Sequence, residues 1–495
     1  MILLLYSNLF ICLQYMLSSN YISYILNKSP QKRKDLVESI LTNRVKLNNI
    51  TTVNKPIIVS NSGFIRNNKG IFCKILNEPL SKVVDKIGLT YYINSGSYGH
   101  IFQHCLSEDC TFAYAIKVMC YTKPSNQINN LKIDDDPTPL SDYENAHIDN
   151  PSRPENVELR IAYLLTDLVN KNYTPHIAKY VLGFRCNIDD VKHVFDNNPS
   201  TSINKYYKKK KNKSIDDVLN RCSDEYIIYI AEWANGGDLL TYIIQPNYFA
   251  TELDKTDLNN TLIPLRLKTL LFQILYTLAT IHRVYPGFRH NDLHIGNILI
   301  NIVVSNPDFY RTNIDETKLS YVKYKFMDHV FYVPFFEFST LLWDYDFSSI
   351  GGNKDGNTNT VVVNNYKAQY SFQNIGISQD TNHYFDMHCC LNCIYNSLKD
   401  NIDSESKHFI LDCIPDQLLR RESHYTNFWR INRTNNAFYN NPINSLRRLQ
   451  YASYLFQEDS LISITPEKII TTHPYFASFI QHKHNIIEEY DGPPL

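Results

Sequence analysis

The sequence has no excess of charge of either sign. It contains 49 basic and 50 acidic residues in a chain of 495, which gives a formal net charge of −1. Such a balance provides no global attraction to nucleic acid or to an anionic membrane surface. Any anion that the chain binds must be held by a local site, and we expect no specific nucleic-acid partner.

A disulfide framework is also missing. The 11 cysteines are irregularly spaced, and a chain of this length buries enough apolar surface without cross-links. We therefore expect a reducing compartment. The cluster HCCLNC at residues 388–393 has no second ligand pair at zinc-like spacing and lies in an apolar helical run, which favours core packing over metal binding.

The first 16 residues are apolar, but they contain Asn8 and Gln14 and have no leading basic residue. This stretch is too short to cross a bilayer as a helix, and it lacks the basic region and cleavage site of a signal peptide. We expect a soluble protein. Weak membrane association through this segment is the alternative, and Met16 is a second candidate for the start.

The order of sequence patterns predicts an α+β fold. Short β-type runs begin near Leu89, and the stretch LIPLRLKTLLFQILYTLATIHRVY at residues 262–285 predicts a long buried helix. Polar stretches interrupt the β-rich part, and one carries the lysine run YYKKKKNKS at residues 206–214. Such a run is typical of a solvated loop, with binding to anionic lipid or nucleic acid as the alternative.

A glycine turn between two predicted strands could hold phosphate. Gly96 and Gly99 flank Ser97 and Tyr98 in SGSYGHIF. Glycine lets the backbone approach a ligand closely and present its N–H groups to phosphate oxygens. A plain hairpin turn fits this stretch equally well.

Lys117 lies in the apolar strand AYAIKV, and a buried lysine needs an anion. The next predicted helix, PENVELRIAYLLTDLVN, has apolar residues on one face and Glu158 at the edge of that face. We expect a Lys117–Glu158 pair, with Glu155 as the alternative partner.

The stretch RHNDLHIGNILI places Asp292 and Asn297 just before an apolar run. A bare turn between two elements is one explanation. The other is a magnesium-dependent phosphotransfer loop, because a carboxylate and a carboxamide supply the oxygen ligands that this cation prefers.

Several motifs occur in the order found in the protein kinase superfamily. They are GSYGHIF, AIK, ELRIAYLL, EWANGGDL, HNDLHIGNIL and the closing ITPEKIITTHPYF at residues 464–476. LLWDYDFSS and HYFDMH resemble in particular the divergent serine/threonine kinases of poxviruses and other large DNA viruses. The resemblance runs from about residue 89 to the end, and it implies a bilobal kinase-like fold with a small β-rich N-lobe and a larger, mostly helical C-lobe.

The resemblance also implies domain limits. We expect an N-terminal extension at residues 1–85 and a kinase N-lobe at 86–233, with insertions at 121–153 and 187–222. The C-lobe would occupy residues 234–495.

Catalytic roles follow from the resemblance. Asp292 would accept or orient the proton of the attacking hydroxyl, and His294 stands where serine/threonine kinases usually carry lysine near the γ-phosphate. Lys117 would hold the α- and β-phosphates of ATP, and Glu158 would orient it.

The resemblance also implies the cofactor ligands. Asn297 and Asp344 would hold Mg²⁺. The nucleotide would contact Asn94, Gly96, Ser97, Gly99, Ile101, Ala115, Lys117, Glu232, Ala234, Asp238 and Leu299. Ala231 would be a small gatekeeper residue, and Asp386 would brace the catalytic loop.

The pattern departs from the family at several positions. Asn94 replaces the first glycine of the phosphate loop, and Asn291 replaces the arginine that receives an activation-loop phosphate, so we expect a constitutively competent site. Asp346 replaces a glycine and is a rival metal ligand. No Ala-Pro-Glu motif occurs before Tyr384, and Ser463 replaces the arginine that pairs with its glutamate.

These observations predict an ATP- and magnesium-dependent serine/threonine protein kinase that acts on protein substrates. A small-molecule kinase of the aminoglycoside or choline type is one alternative, because DLHIGN fits both groups. An ATP-binding pseudokinase scaffold is the other. A viral enzyme would be located in the host cytoplasm or the virion, and any other in the cytoplasm.

Overall fold

The computed structural model describes 15 segments of the chain. They are residues 58–59, 65–66, 74–75, 90–95, 99–105, 113–122, 150–187, 222–244, 262–302, 319–336, 338–352, 361–368, 377–398, 402–413 and 464–494. The lysine run, Gly96, Ser97, Ser463 and nearly all of the N-terminal extension lie outside them. None of the described helices is both long and apolar enough to cross a membrane.

The chain divides into two compact units. Among the described residues, the first unit includes 65–163 and 179–233, and the second includes 164–178 and 234–494. The predicted α+β class is confirmed, since strands dominate the first unit and most helices lie in the second. The predicted domain limits stay a prediction.

A six-stranded sheet forms the first unit. Its strands are β3 (Lys74–Ile75), β4 (Thr90–Ser95), β5 (Gly99–Cys105), β6 (Ala113–Thr122), β7 (Tyr180–Asn187) and β8 (Cys222–Glu232), in the order β3-β7-β8-β6-β5-β4. Strands β1 (Ile58–Val59) and β2 (Ile65–Arg66) form a separate antiparallel pair. The centre is β6 beside β8, where Ile116, Val118, Ile228 and Ile230 are buried. Cys120 of β6 is disulfide-bonded, which does not fit the expectation of a reducing compartment.

Helix α1 (Pro154–Asn170) begins directly after the stretch that was predicted to be the first insertion. Proline suits its first position, because an N–H there would have no partner within the helix. The apolar residues that predict the helix are all buried: Val157, Ile161, Leu164, Leu165 and Leu168. Each such side chain stabilises the fold by about 1.5–3 kcal/mol.

Helix α3 (Leu262–Val284) is the core of the second unit, and residues 267–282 along it are buried. It contacts α5 (Ser404–Asp412), α6 (Pro466–Thr472) and α7 (Ala477–Ile480). The unit also contains α2 (Leu239–Ile244) and α4 (Phe385–Leu398). Phe272 of α3 is the centre of an aromatic cluster, with five rings within 5.8 Å, those of Tyr276, Tyr324, Phe331, Phe476 and Phe479. The cluster packs two other parts of the chain, residues 324–331 and 476–479, against one helix.

Small sheets complete the second unit. Strand β9 (Phe288–Arg289) pairs with β14 (Ser349–Ile350), and β10 (Ile298–Ile302) pairs with β13 (Phe338–Leu342). Strands β11 (Tyr321–Phe326) and β12 (His329–Pro334) form a hairpin, and β15 (Ile486–Tyr490) adds to β11 in parallel. No element was predicted for this hairpin or for β15.

The cysteine cluster at residues 388–393 lies in α4, as predicted. Cys389, Cys390 and Cys393 are buried thiols. Burial raises the pKa of Cys389 and of Cys390 well above the ordinary value for a thiol. The protonated thiols therefore pack as small apolar groups.

Candidate active site

In the first unit, Lys117 and Glu158 form a buried ion pair. Lys117 Nζ lies 2.6 Å from Glu158 Oε1, and the two side chains are 7% and 0% exposed. The alternative partner, Glu155, is 3.3 Å from Arg153 Nε instead. Strand β6 supplies the lysine and helix α1 the glutamate, so the pair joins the centre of the sheet to the helix that packs on it.

Gly99 leaves space for the stem of Lys117. A Cβ atom at this glycine would lie 3.3 Å from Lys117 Cε and 3.1 Å from Val118 O. Ile101, a half-buried residue of β5, pairs across the sheet with Lys117 itself. The described part of the predicted phosphate loop therefore lies beside the lysine. Of Asn94, the structure describes only the backbone pairing with Ile101.

The residues predicted to contact adenine lie on β6, on β8 and just after it. Ala115 and Ala231 are neighbours in register across the two strands, and both are buried. The backbone N–H of Glu232 donates to Lys179 O at 2.9 Å, so this N–H is already used within the chain. Ala234 is buried and begins the second unit.

In the second unit, Asp238 and Leu299 are joined by a β-bridge. The Asp238 carboxylate accepts a hydrogen bond from the backbone N–H of Thr241 at 2.7 Å. It therefore caps the short helix α2, a structural role that the sequence analysis did not assign to it.

Asp292 and Asn297 belong to one hydrogen-bonded loop. The carboxamide nitrogen of Asn297 donates to Asp292 O at 2.8 Å and lies 3.5 Å from Asp292 Oδ2. The carbonyl of Asn297 in turn accepts from the backbone N–H of Trp343 at 3.1 Å. The loop and the strand end that carries Asp344 are thus tied by the main chain.

His294 lies over the turn that follows Asp292. Its Nδ1 accepts from the Gly296 N–H at 3.0 Å, and its Nε2 is 3.9 Å from Asp292 Oδ2. A Cβ atom at Gly296 would lie 2.8 Å from the His294 ring, so glycine is needed for this arrangement. Because Nδ1 is an acceptor, a neutral ring carries its proton on Nε2, the nitrogen on the side of Asp292.

Asp386, at the start of α4, binds the main chain of the loop that contains Asp292. Its two carboxylate oxygens accept the backbone N–H groups of His290 and Asn291 at 2.7 and 2.9 Å. Asp386 and both of these residues are buried. The carboxylate therefore fixes the main chain just before Asp292, in the bracing position that the sequence analysis gave it.

Asp344 has a strained backbone. Its φ is +67°, in the left-handed region that non-glycine residues rarely adopt. The neighbouring groups hold it there: Trp343 O accepts from His290 Nε2 at 3.0 Å, and the Tyr345 hydroxyl donates to Leu342 O at 2.9 Å. Strain of about 1–3 kcal/mol of this kind is found mainly at functional sites.

The described residues contain no group of three or more His, Cys, Asp or Glu that could hold a metal ion. A site built from Asp344 and Asn297 has only one residue of those types. Its donor set is one carboxylate and one carboxamide oxygen, which suits a hard cation that keeps several waters.

The sequence analysis missed two residues near this site. Lys367 Nζ lies 2.6 Å from Asp346 Oδ2, and the Asn365 carboxamide donates to Asp346 O at 2.9 Å. No spacing rule pairs residues this far apart in a stretch without regular structure. The rival metal ligand Asp346 is therefore already occupied by a cation of the chain.

No family model matches the chain. A protein of Acanthamoeba polyphaga mimivirus, named by inference as serine/threonine-protein kinase R400, is 32% identical over 309 residues, which are 61% of this chain and 55% of that protein. A second mimivirus protein, named in the same way as kinase R301, is 39% identical over 92 residues, 19% of this chain and 21% of that protein. The chain spans about half the length of the first relative.

Two solved kinase domains also match. The BubR1 kinase domain is 12% identical with a TM-score of 0.26, over 63% of this chain and 60% of that one. A second kinase domain is 15% identical with a TM-score of 0.31, over 81% of this chain and 98% of that one. Scores this low carry no argument. The mimivirus similarity, by contrast, confirms the predicted resemblance to the kinases of large DNA viruses.

Proposed function

We propose that this chain is an ATP- and magnesium-dependent protein kinase that phosphorylates serine or threonine. The observation that carries the proposal is the catalytic loop, in which Asn297 is bonded to Asp292 and Asp386 holds the preceding main chain. A bare turn between two strands needs neither the buried brace nor a carboxamide aimed at the aspartate.

Asp292 would accept the proton of the attacking hydroxyl. Its side chain is 11% exposed, so one part of the carboxylate can meet a substrate while the loop fixes the rest. A positioned base of this kind contributes about 10²–10⁴ in rate. Most of the remaining acceleration in phosphoryl transfer comes from alignment and charge neutralisation.

Asn297 and Asp344 would hold the magnesium ion. The amide nitrogen of Asn297 is used as a donor to Asp292 O, which leaves its oxygen Oδ1 as the ligand atom. A carboxylate oxygen of Asp344 would be the second ligand. Magnesium bound there supplies positive charge that neutralises the phosphate oxygens.

Lys117 would bind the α- and β-phosphates of ATP. Its ammonium lies 2.6 Å from Glu158 Oε1, and the Gly99 backbone leaves space beside its stem. Glu158 would prevent the ammonium from turning away, because both groups are buried and no water replaces the lost contact.

We also propose that the acceptors are proteins and that the chain is a viral protein. The kinase names of the mimivirus relatives support protein serine or threonine as the acceptor. They also support a viral protein that acts in the host cytoplasm or the virion. The loop HNDLHIGN fits small-molecule kinases as well as protein kinases, so a small molecule is the second candidate acceptor.

The test is phosphate transfer by the full chain. We would measure transfer of radiolabelled phosphate from ATP, with and without magnesium, to casein, to a basic protein and to a small-molecule panel. Asp292→Asn should lower transfer by about 100-fold or more. Asp328→Asn, an exposed residue on a hairpin turn, is the matched control and should leave the rate unchanged.

Each outcome decides between the candidates. Label on protein serine or threonine that is lost in Asp292→Asn supports the proposal. Transfer to small molecules alone would select the second acceptor class. ATP binding without any transfer, measured by thermal shift with a nucleotide analogue, would show a pseudokinase and overturn the proposal.

A further inference from the structure

Asn291 joins the catalytic loop to two other segments. Its carboxamide nitrogen donates to Phe347 O at 3.1 Å and to Ser378 O at 3.0 Å, and its Oδ1 accepts from Ser378 N at 3.4 Å. The residue is buried and has a φ of +63°, which asparagine tolerates better than most residues. The neutral carboxamide of Asn291 thus makes these connections within the chain, and no phosphate group on the protein takes part in them.

A buried ion pair continues the same network. Lys367 Nζ lies 2.6 Å from Asp346 Oδ2, and the side chains are 8% and 11% exposed. The same ammonium lies 4.5 Å from the centre of the Phe347 ring. A pair that is taken out of water persists only if its geometry is good and its remaining groups are bonded.

Asn365 supplies the remaining bonds. Its carboxamide nitrogen donates to Asp346 O at 2.9 Å and to Ser348 O at 2.8 Å, and its Oδ1 accepts from Lys367 N at 2.9 Å. Ile350 and Val363 then form a β-bridge, with N–H to O distances of 3.0 and 2.9 Å. Hydrogen bonds and one ion pair therefore connect residues 346–350 to residues 363–367 at both ends of the two stretches.

We propose that Lys367 is a positioning residue for the metal-binding segment. By pairing with Asp346 it fixes the main chain that follows Asp344, and it keeps a second carboxylate from binding the metal. The segment then needs no phosphate to become ordered. This inference rests on the proposed kinase function.

The first test is a charge-removal series in the full chain. Lys367→Met leaves the Asp346 carboxylate buried and unpaired, so kcat should fall about tenfold or more. The double variant Lys367→Met with Asp346→Asn removes both charges and should recover most of that loss. A wild-type rate in Lys367→Met, or a double variant as slow as the single one, would overturn the proposal.

The dependence of the rate on magnesium separates positioning from simple loss of folding. In Lys367→Met the bare carboxylate should bind a second cation, so high magnesium should inhibit this variant alone. Wild type, Lys367→Arg and the double variant should show ordinary saturation. Equal magnesium curves for all four proteins would contradict the role given to Lys367.

Phosphorylation is tested on wild type. Protein treated with phosphatase, and shown by intact mass to carry no phosphate, should keep its rate within about twofold, because the ordering contacts lie within the chain. A loss of activity that returns after rephosphorylation would overturn the proposal.

Hydrogen exchange tests the same contacts without any need for activity. The amides of Ile350 and Val363 should exchange slowly in wild type, faster in Lys367→Met and slowly again in the double variant. Lys171→Met, which breaks an exposed pair with Asp167, is the control and should leave them unchanged. If wild type transfers no phosphate but exchange behaves as expected, the kinase function fails and the positioning contact stands; unchanged exchange removes the positioning role in either case.

Discussion

At the scale of single residues, His294 has the best-defined contacts among the positions where this sequence differs from the protein kinase pattern. Its Nδ1 is held by the Gly296 N–H, and its Nε2 lies 3.9 Å from Asp292 Oδ2. In this position the ring can offer one N–H donor to a phosphoryl group. Lysine would offer a full positive charge from a longer and more flexible side chain.

We expect His294→Lys to keep or raise kcat at pH 8. A lysine side chain carries a full positive charge at that pH, so under the proposed kinase function the variant places this charge near the transferred phosphate. The measurement is the steady-state rate at pH 7 and pH 8. His408→Lys, at an exposed histidine of α5, is the matched control. A fall of about tenfold or more at pH 8 would show that the imidazole has a further function.

The residues of the site differ in how far the sequence could predict them. Asp292 and Asn297 lie in one short loop, so their spacing alone brings them together. The Lys117–Glu158 contact followed from a charge in an apolar strand and a charge on an apolar helix face. Lys367 gave no such signal, because its partner depends on how two irregular segments fold against each other.

At the scale of elements, local pattern predicted the centre of each unit. Strands β4, β5 and β6 and helices α1 and α3 lie where alternation or helical periodicity indicates them. Helix α6 lies in the closing motif at residues 464–476; Thr465 caps it by accepting from Lys468 N, and Pro466 is in its first turn. The β11–β12 hairpin and β15 were not predicted. Pairing of β11 with β15 joins residues about 166 positions apart, and no short window of sequence contains that information.

Strand β15 depends on the glycine that follows it. Gly492 has a φ of +62°, and a Cβ atom there would lie 2.3 Å from Lys325 O. Ion pairs on this sheet, such as Lys325 with Asp491, are exposed, and pairs of that kind contribute little. We therefore attribute the position of the strand end to the backbone at Gly492.

We expect Gly492→Ala to lower the free energy of unfolding by about 1–3 kcal/mol, because both the backbone conformation and the contact with Lys325 oppose a side chain. Urea denaturation of the full chain measures this difference. Gly352→Ala is the control, since its nearest atom would be 3.7 Å away. Equal stability of the two variants would show that β15 contributes little to the fold.

At the scale of the whole molecule, buried histidines make stability depend on pH. Burial lowers the pKa of His388 to about 3. Burial, with the charges of His383 and Arg289 as smaller causes, also lowers the pKa of His282 well below its ordinary value. Both rings are neutral in the folded chain, whereas in the unfolded chain they take up a proton near pH 6.5.

The unfolded state therefore binds more protons than the folded state between about pH 6.5 and pH 3, and stability must fall as the pH is lowered through this range. Each buried ring contributes up to about 1.4 kcal/mol per pH unit.

We expect His388→Gln to be less stable than wild type at pH 8, because the contact of Nδ1 with the Tyr384 hydroxyl at 2.9 Å is disturbed. Its loss of stability between pH 6.5 and pH 5 should nevertheless be smaller than that of wild type. Urea denaturation at four pH values measures both effects, with His408→Gln as the exposed control. Identical pH slopes for wild type and His388→Gln would mean that the His388 ring is already protonated, or reached by water, in the folded molecule.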